Sequence, residues 1–166
     1  MKILALGTYP TRRPVHGGQR RTWQIGAYYQ RHGAEYRYAC VHTDTYGTTD
    51  VTAFDYPYAS AGGLYSAIPF IDDLGSGVFA ASQDGPYRHF RTLVEAYEPD
   101  VIQLEQPFMW PLVKRMRTEG VLGKARLVYS SHNFEAPLKR AILEGAGVDR
   151  TRVAEVDSLL RTTEQE

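Results

Sequence analysis

Short apolar runs of strand length alternate along this 166-residue chain with longer segments whose apolar positions recur at helical spacing. Lys2–Gly7, Tyr36–His42, Val101–Glu105 and Ala125–Ser130 are the strand candidates. Helix candidates lie at Gln19–His32, Tyr87–Tyr97, Phe108–Thr118, Phe134–Glu144 and Thr151–Thr163. Strands separated by helices predict an α/β fold: a doubly wound, mainly parallel sheet with helices on both faces. Such sheets bind ligands beyond the carboxyl ends of their strands. Here those ends lead into the Gly17-Gly18 loop, His42, Glu105-Gln106-Pro107 and Ser131-His132-Asn133. All four are polar or glycine-containing.

Thr43–Gly85 breaks the alternation. Gly62-Gly63, Gly75-Ser76-Gly77 and Asp84-Gly85 interrupt it, and only Leu64–Ile71 and Val78–Ser82 read as short helical pieces. A connection this long in a compact domain is a functional loop, holds hidden elements, or is a surface excursion. At the other end, Val153, Val156, Leu159 and Leu160 form one helical stripe, and the sequence stops at Glu164-Gln165-Glu166 without a further strand.

Length implies one domain with room for a sizeable core. Lys and Arg balance Asp and Glu at 19 each, which removes any general electrostatic case for a nucleic-acid partner. Cys40 is alone, so neither a disulfide framework nor a thiolate metal cluster is available, and no metal is expected. The N-terminal apolar run is too short for a signal peptide, and no segment approaches the roughly 20 apolar residues that span a bilayer. A soluble, cytoplasmic chain is the expectation.

The loop Pro14-Val15-His16-Gly17-Gly18-Gln19-Arg20-Arg21 stands between a strand and a helix. The first N–H groups of a helix lack internal partners and attract anions, and glycine lets a diphosphate approach without a Cβ in the way. No Gly-Lys-Ser/Thr follows, and G-x-G-x-x-G is missing, so this is neither a P-loop nor a dinucleotide fingerprint. His16 adjoins the glycines as a phosphate or acceptor contact or a solvated residue; Arg12, Arg13, Arg20 and Arg21 surround the loop. His132 is a site candidate or a structural hydrogen-bonding histidine. Glu105 is a candidate for binding hydroxyls or a plain strand-end residue. Asn133 lies beside His132, and Glu135 orients neighbours or favours a helix N-terminus. Met109–Arg117 mixes apolar and basic residues, as a core helix with a charged outer side does, or a membrane-surface helix.

Taken in order, Met1-Lys2-Ile3-Leu4, Pro14…Gly17-Gly18-Gln19-Arg20, Pro99-Asp100-Val101-Ile102-Gln103, Ser131-His132-Asn133-Phe134-Glu135 and Val153-Ala154-Glu155 resemble the N-terminal domain of GT-B, family 4-like retaining glycosyltransferases. The resemblance covers nearly the whole chain and is weakest over Thr43–Gly85. It implies a Rossmann-like domain that is one half of a two-domain enzyme. It further implies that Gly17 and Gly18 meet the donor diphosphate. His132 would be the catalytic-side residue facing sugar or acceptor; His16, Glu105, Asn133 and Glu135 remain the acceptor- or sugar-side candidates beside it.

The substrates so implied are a nucleotide sugar and a glycan, glycolipid or small acceptor, with no separate cofactor. The nucleotide-binding second domain and the last strand of the first are missing from these 166 residues, so the isolated chain is expected to be inactive. Lipid-linked acceptors would bring it to the inner face of a membrane. A helix N-terminus offers an anion about 0.3–1 kcal/mol, up to about 2 when partly buried. Enzymes lower barriers by roughly 8 kcal/mol or more. Basic groups from a facing domain or partner subunit must supply the remainder. The rival expectation is a non-catalytic binding module, or a natural half that pairs with a separate catalytic subunit. On the first reading, Gly18→Val blocks the donor, and His132→Ala lowers turnover more than stability.

Overall fold

The computed structural model describes residues 1–59, 68, 71 and 73–165. Five strands form one sheet: β1 (Lys2–Gly7), β2 (Glu35–Thr43), β3 (Tyr56–Tyr58), β4 (Val101–Leu104) and β5 (Arg126–Tyr129). Their order is β3-β2-β1-β4-β5, and every pairing is parallel. The Rossmann-like, doubly wound arrangement expected from the alternation is therefore present. The order reverses on either side of β1, so the switch point lies between β1 and β4, where such sheets hold ligands.

The helices are α1 (Gly17–Arg31), α2 (Leu74–Ser82), α3 (Asp84–Tyr97), α4 (Trp110–Thr118), α5 (Glu135–Gly145) and α6 (Arg150–Gln165), with a 3-10 turn over Pro107–Met109. Successive strand residues face opposite sides. Leu4, Leu6, Ala39, Val41, Ile102 and Leu104 point to one side, where they form the main core with α2, α3 and α4. Phe90, Leu112 and Met116 are fully buried there. A second apolar cluster joins Phe108 to Leu143, Val153, Val156 and Leu160 of α5 and α6.

The other side of the sheet is covered by α1 and is chemically different. Tyr36 of β2, and Gln103 with Glu105 at the end of β4, meet Thr22, Gly26 and Tyr29 of α1, while the Tyr38 hydroxyl donates to the Tyr9 carbonyl. A parallel sheet normally presents apolar residues to both layers. Here one layer is apolar and the other holds a polar network, within which the buried Tyr36 hydroxyl has no hydrogen-bond partner among the described residues.

Three differences from the sequence reading have identifiable causes. Strand β3 went unpredicted because Tyr56-Pro57-Tyr58 is three residues long and holds a proline, which only an edge strand tolerates. Gly75-Ser76-Gly77 lies inside α2 instead of breaking it. A Cβ on Gly77 would stand 1.8 Å from the Phe108 carbonyl oxygen, so glycine is what lets α2 pack on that turn. Likewise Asp84-Gly85 opens α3, with Pro86 in its first turn, where a missing N–H costs nothing. Val78–Ser82 forms the second half of α2, whereas Leu64–Ile71 lies outside the described residues except for 68 and 71.

Met109–Arg117 has its apolar side buried: Met109, Leu112, Val113 and Met116 are all in the core. Arg115 pairs with Glu119, donates to the Ala81 carbonyl and lies over the Tyr87 ring. The apolar half that membrane insertion requires is therefore unavailable on this helix. Among the described residues, no helix is long and apolar enough to cross a membrane.

Candidate functional site

Beyond β1 the chain runs Thr8-Tyr9-Pro10 and enters α1 at His16. His16 is the N-cap: its Nδ1 accepts from the Gln19 amide at 3.4 Å, while Gln19 Oε1 accepts from the amides of Val15 and His16. This reciprocal capping box fixes the helix start. Gln19 also donates to the Pro10 carbonyl at 2.8 Å, tying the loop to the strand end. The amides of Gly17 and Gly18 have no partner among the described residues. They are the first two donors of α1, left facing outward where the helix dipole is positive.

The two glycines differ in their surroundings. A Cβ on Gly17 would meet nothing within 4 Å, whereas one on Gly18 would stand 2.6 Å from the Tyr9 hydroxyl. Gly17 borders open space. Gly18 is needed for Tyr9 to fit beneath the loop.

Glu105 lies at the end of β4 with its carboxylate fully buried. Burying a charge is costly unless it is paired and hydrogen-bonded. Oε2 accepts from Thr22 Oγ1 at 3.2 Å and from His132 Nε2 at 2.9 Å, and Arg21 Nη1 lies 3.7 Å away. Oε1 accepts from Gln103 Nε2, whose own Oε1 takes the Tyr29 hydroxyl at 3.0 Å. The Glu105 carboxylate is thus occupied within the protein by Thr22, His132 and Gln103, with Arg21 beside it. Its side chain belongs to the polar layer under α1, since Gln103 and Glu105 share one face of β4.

His132 follows β5 and is mostly buried, with 9% of its side chain exposed. Its Nδ1 lies 3.4 Å from the Tyr9 hydroxyl, and that oxygen accepts from Gln106 Nε2 at 2.6 Å. Gln106 Oε1 accepts in turn from the Thr8 amide at 3.1 Å. Tyr9 also packs edge-on against the His16 ring, 4.9 Å between centroids. Burial pushes the Tyr9 phenol far above its usual range, so it remains a hydrogen-bond donor. Burial, and secondarily His132, pulls the His16 imidazole below its ordinary value.

The expected residues thus divide. His16, Gly18, Glu105 and His132 converge around Tyr9, with Gly17 next to them on the open side. Asn133 is exposed beyond the cluster, and its side chain bonds to Glu135. Glu135 opens α5, largely buried, and its amide is capped by the Glu164 carboxylate of α6 at 2.6 Å. Burial raises the Glu135 carboxyl, opposed by nearby Lys139. Glu135 is thus held within the α5–α6 pair.

Among the loop arginines, Arg21 reaches Ser130 Oγ and the Ser131 carbonyl and borders Glu105. Arg12 and Arg13 turn away to Val51 and Thr49. Tyr9, Gln106, Thr22 and Gln103 went unrecognised in the sequence. The one available signal was Gln103-x-Glu105, two polar residues on the same face of a strand expected to be buried. The Thr8 hydroxyl, at the same strand end, is buried without a hydrogen-bond partner among the described residues.

Known proteins add nothing to this picture. No protein family, curated protein or solved structure matches the chain. A concavity of about 770 Å³ lies at the opposite edge of the sheet beside Met1, Asp100 and Arg126, away from the polar cluster.

Proposed function

We propose that this chain is the acceptor-side domain of a glycosyltransferase, moving a sugar from a nucleotide-diphosphate donor to a glycan, glycolipid or small acceptor. One observation carries the reading. Two unpartnered helix N–H groups and a histidine held by a buried carboxylate meet at the carboxyl edge of one parallel sheet. An anion and a hydroxylated group can be held side by side in such a place. The glycine amides suit a diphosphate, and Arg21 adds a cation on the same side. The remaining stabilisation of the leaving diphosphate comes from basic groups of a facing domain or subunit. The chain alone transfers no sugar.

The test is a titration of the isotopically labelled chain with inorganic pyrophosphate and with uridine diphosphate. The amide signals of Gly17 and Gly18 should move together and saturate, and Gly17→Val should weaken binding at least about tenfold, equivalent to about 1.4 kcal/mol. If neither anion moves these signals, the donor-side assignment fails.

A second reading, a non-catalytic half that pairs with a separate subunit, is favoured by apolar exposure on the segments that carry the site. Phe134 is 82% and Val15 74% exposed. Exposed apolar groups clustered at a functional edge mark an interaction surface.

A further inference from the structure

Strand β3 is short, and that leaves part of β2 uncovered. It pairs with β2 only from Val41 to Thr43. Residues 35–39 therefore have β1 on one side and no strand on the other among the described residues. The Glu35 amide donates to the Met1 carbonyl and the Cys40 amide to the Asp55 carboxylate, which fixes the alternation along the strand. Residues 35, 37 and 39 turn their main-chain groups to β1. Tyr36 and Tyr38 turn theirs outward, where neither amide nor carbonyl has a partner among the described residues. Extended chain repeats every two residues, about 7 Å, so these four groups match one edge of a further strand. The edge is also held in place. The Tyr36 ring abuts Gly26, the Tyr38 hydroxyl donates to the Tyr9 carbonyl, and the Arg37 guanidinium lies 4.2 Å from the Tyr97 ring centroid.

We propose that this edge receives an extended, acidic peptide segment of a partner protein as an added strand. Tyr36, Arg37 and Tyr38 line a groove of about 380 Å³, with Trp23 and Ala27 of α1 on one wall and Phe54 on the other. Trp23 is 53% and Phe54 37% exposed, so alternate side chains of a guest strand find apolar surface to cover. Charge selects the guest. Arg12 and Arg37 border the groove, and neither has an ion-pair partner among the described residues, Glu35 on the same strand included. The carboxylate of the groove, Asp55, is buried and already accepts from the Cys40 amide and from the Thr52 amide and hydroxyl. The two guanidinium charges are thus left for an acidic side chain of the guest. Strand addition takes its affinity from main-chain hydrogen bonds and its selectivity from the flanking side chains. A rigid edge keeps the ordering cost on the guest alone. The edge includes none of Gly17, Gly18 or His132 and needs no sugar donor.

Amide hydrogen exchange of the 166-residue chain is the first experiment and needs no partner. Arg37 and Ala39 should be protected, and Tyr36 and Tyr38 should exchange at least about tenfold faster. The probe is then a synthetic peptide, acetyl-Glu-Val-Glu-Val-Glu-amide, titrated into the isotopically labelled chain. The Tyr36 and Tyr38 amides should move downfield, saturate and gain protection. Replacing the glutamates of the peptide by lysines, or N-methylating all its amides, should weaken binding at least about tenfold. Arg12→Gln should weaken the glutamate peptide and narrow its advantage over the lysine peptide. The proposal is overturned by protected Tyr36 and Tyr38 amides in the peptide-free chain, or by a glutamate peptide that leaves them unmoved. A lysine or N-methylated peptide that binds equally well overturns it too. Protection that appears only as the chain itself is concentrated would give the edge to a second copy, and would overturn the peptide assignment.

Discussion

Gly17 and Gly18 follow one another in the first turn of α1, yet the protein uses them differently. Gly18 makes room for Tyr9, so Gly18→Val displaces Tyr9 and disturbs His132 whether or not a donor binds there. The clean probe of ligand approach is Gly17→Val, which fills open space. Gly18→Ala is expected to move the His132 ring signals in the free protein, and Gly17→Ala to leave them unchanged; nitrogen NMR separates the two. His132 needs the same care. Removing it as His132→Ala takes one hydrogen-bond donor from a fully buried carboxylate, a loss of about 1.5–3 kcal/mol. His132→Gln retains an N–H donor for Glu105 and should recover most of the stability in urea unfolding without recovering the imidazole's chemistry.

At the level of elements, two helices carry sharp expectations. Gly77→Ala drives a Cβ into the Phe108 carbonyl, and the α2 contact must open; overpacking of this kind costs about 1–3 kcal/mol. Gly145→Ala, at the end of α5 with nothing within 4 Å, should be neutral or stabilising by up to about 1 kcal/mol. Urea midpoints for the pair test whether α2 is held by that close approach. The start of α5 responds to pH. Burial raises the folded-state Glu135 carboxyl above its ordinary value, with Lys139 and Asn133 opposing and Asp73 and Glu164 reinforcing the shift. The folded state thus binds the proton more tightly than the unfolded one. Stability falls as pH rises from the ordinary carboxyl range through the raised value, then stays level. Glu135→Gln should raise the melting temperature at neutral pH, and the gain should shrink on acidification toward the ordinary carboxyl range. A gain that grows on acidification would contradict this.

Over the whole molecule the sheet separates two chemistries, an apolar layer with α2–α4 and a polar layer with α1. The polar layer ends at the candidate site, so the network that stabilises Glu105 also aims His132. The sheet also ends at an edge. Among the described residues β5 has a neighbour on one side only, and Val128 and Tyr129 are each 42% exposed on it. Exposed apolar edge strands invite pairing with other chains. Val128→Lys should therefore lower association at high protein concentration without lowering the unfolding midpoint; sedimentation velocity at increasing loading provides the check.

The order of strands and helices was legible in the sequence because apolar periodicity is local. Lys2–Gly7, Val101–Leu104 and α6 declare themselves within a few residues of chain, although of the expected α6 stripe Val153, Val156 and Leu160 are buried and Leu159 is exposed. So did the placing of the Gly-Gly loop and His132 at strand ends, since a parallel sheet delivers all its carboxyl ends to one edge. Tertiary structure alone decided what those ends do to each other. Tyr9, Glu105 and His132 are separated by 96 and 27 positions in turn, and their hydrogen bonds exist only once β1, β4 and β5 lie side by side. The helical state of Gly75-Ser76-Gly77 was likewise hidden, because glycine there answers to a carbonyl some thirty residues away and not to its own propensity. Local pattern determines which segments become strands and helices. Which polar groups share a proton depends on distances that the sequence does not contain.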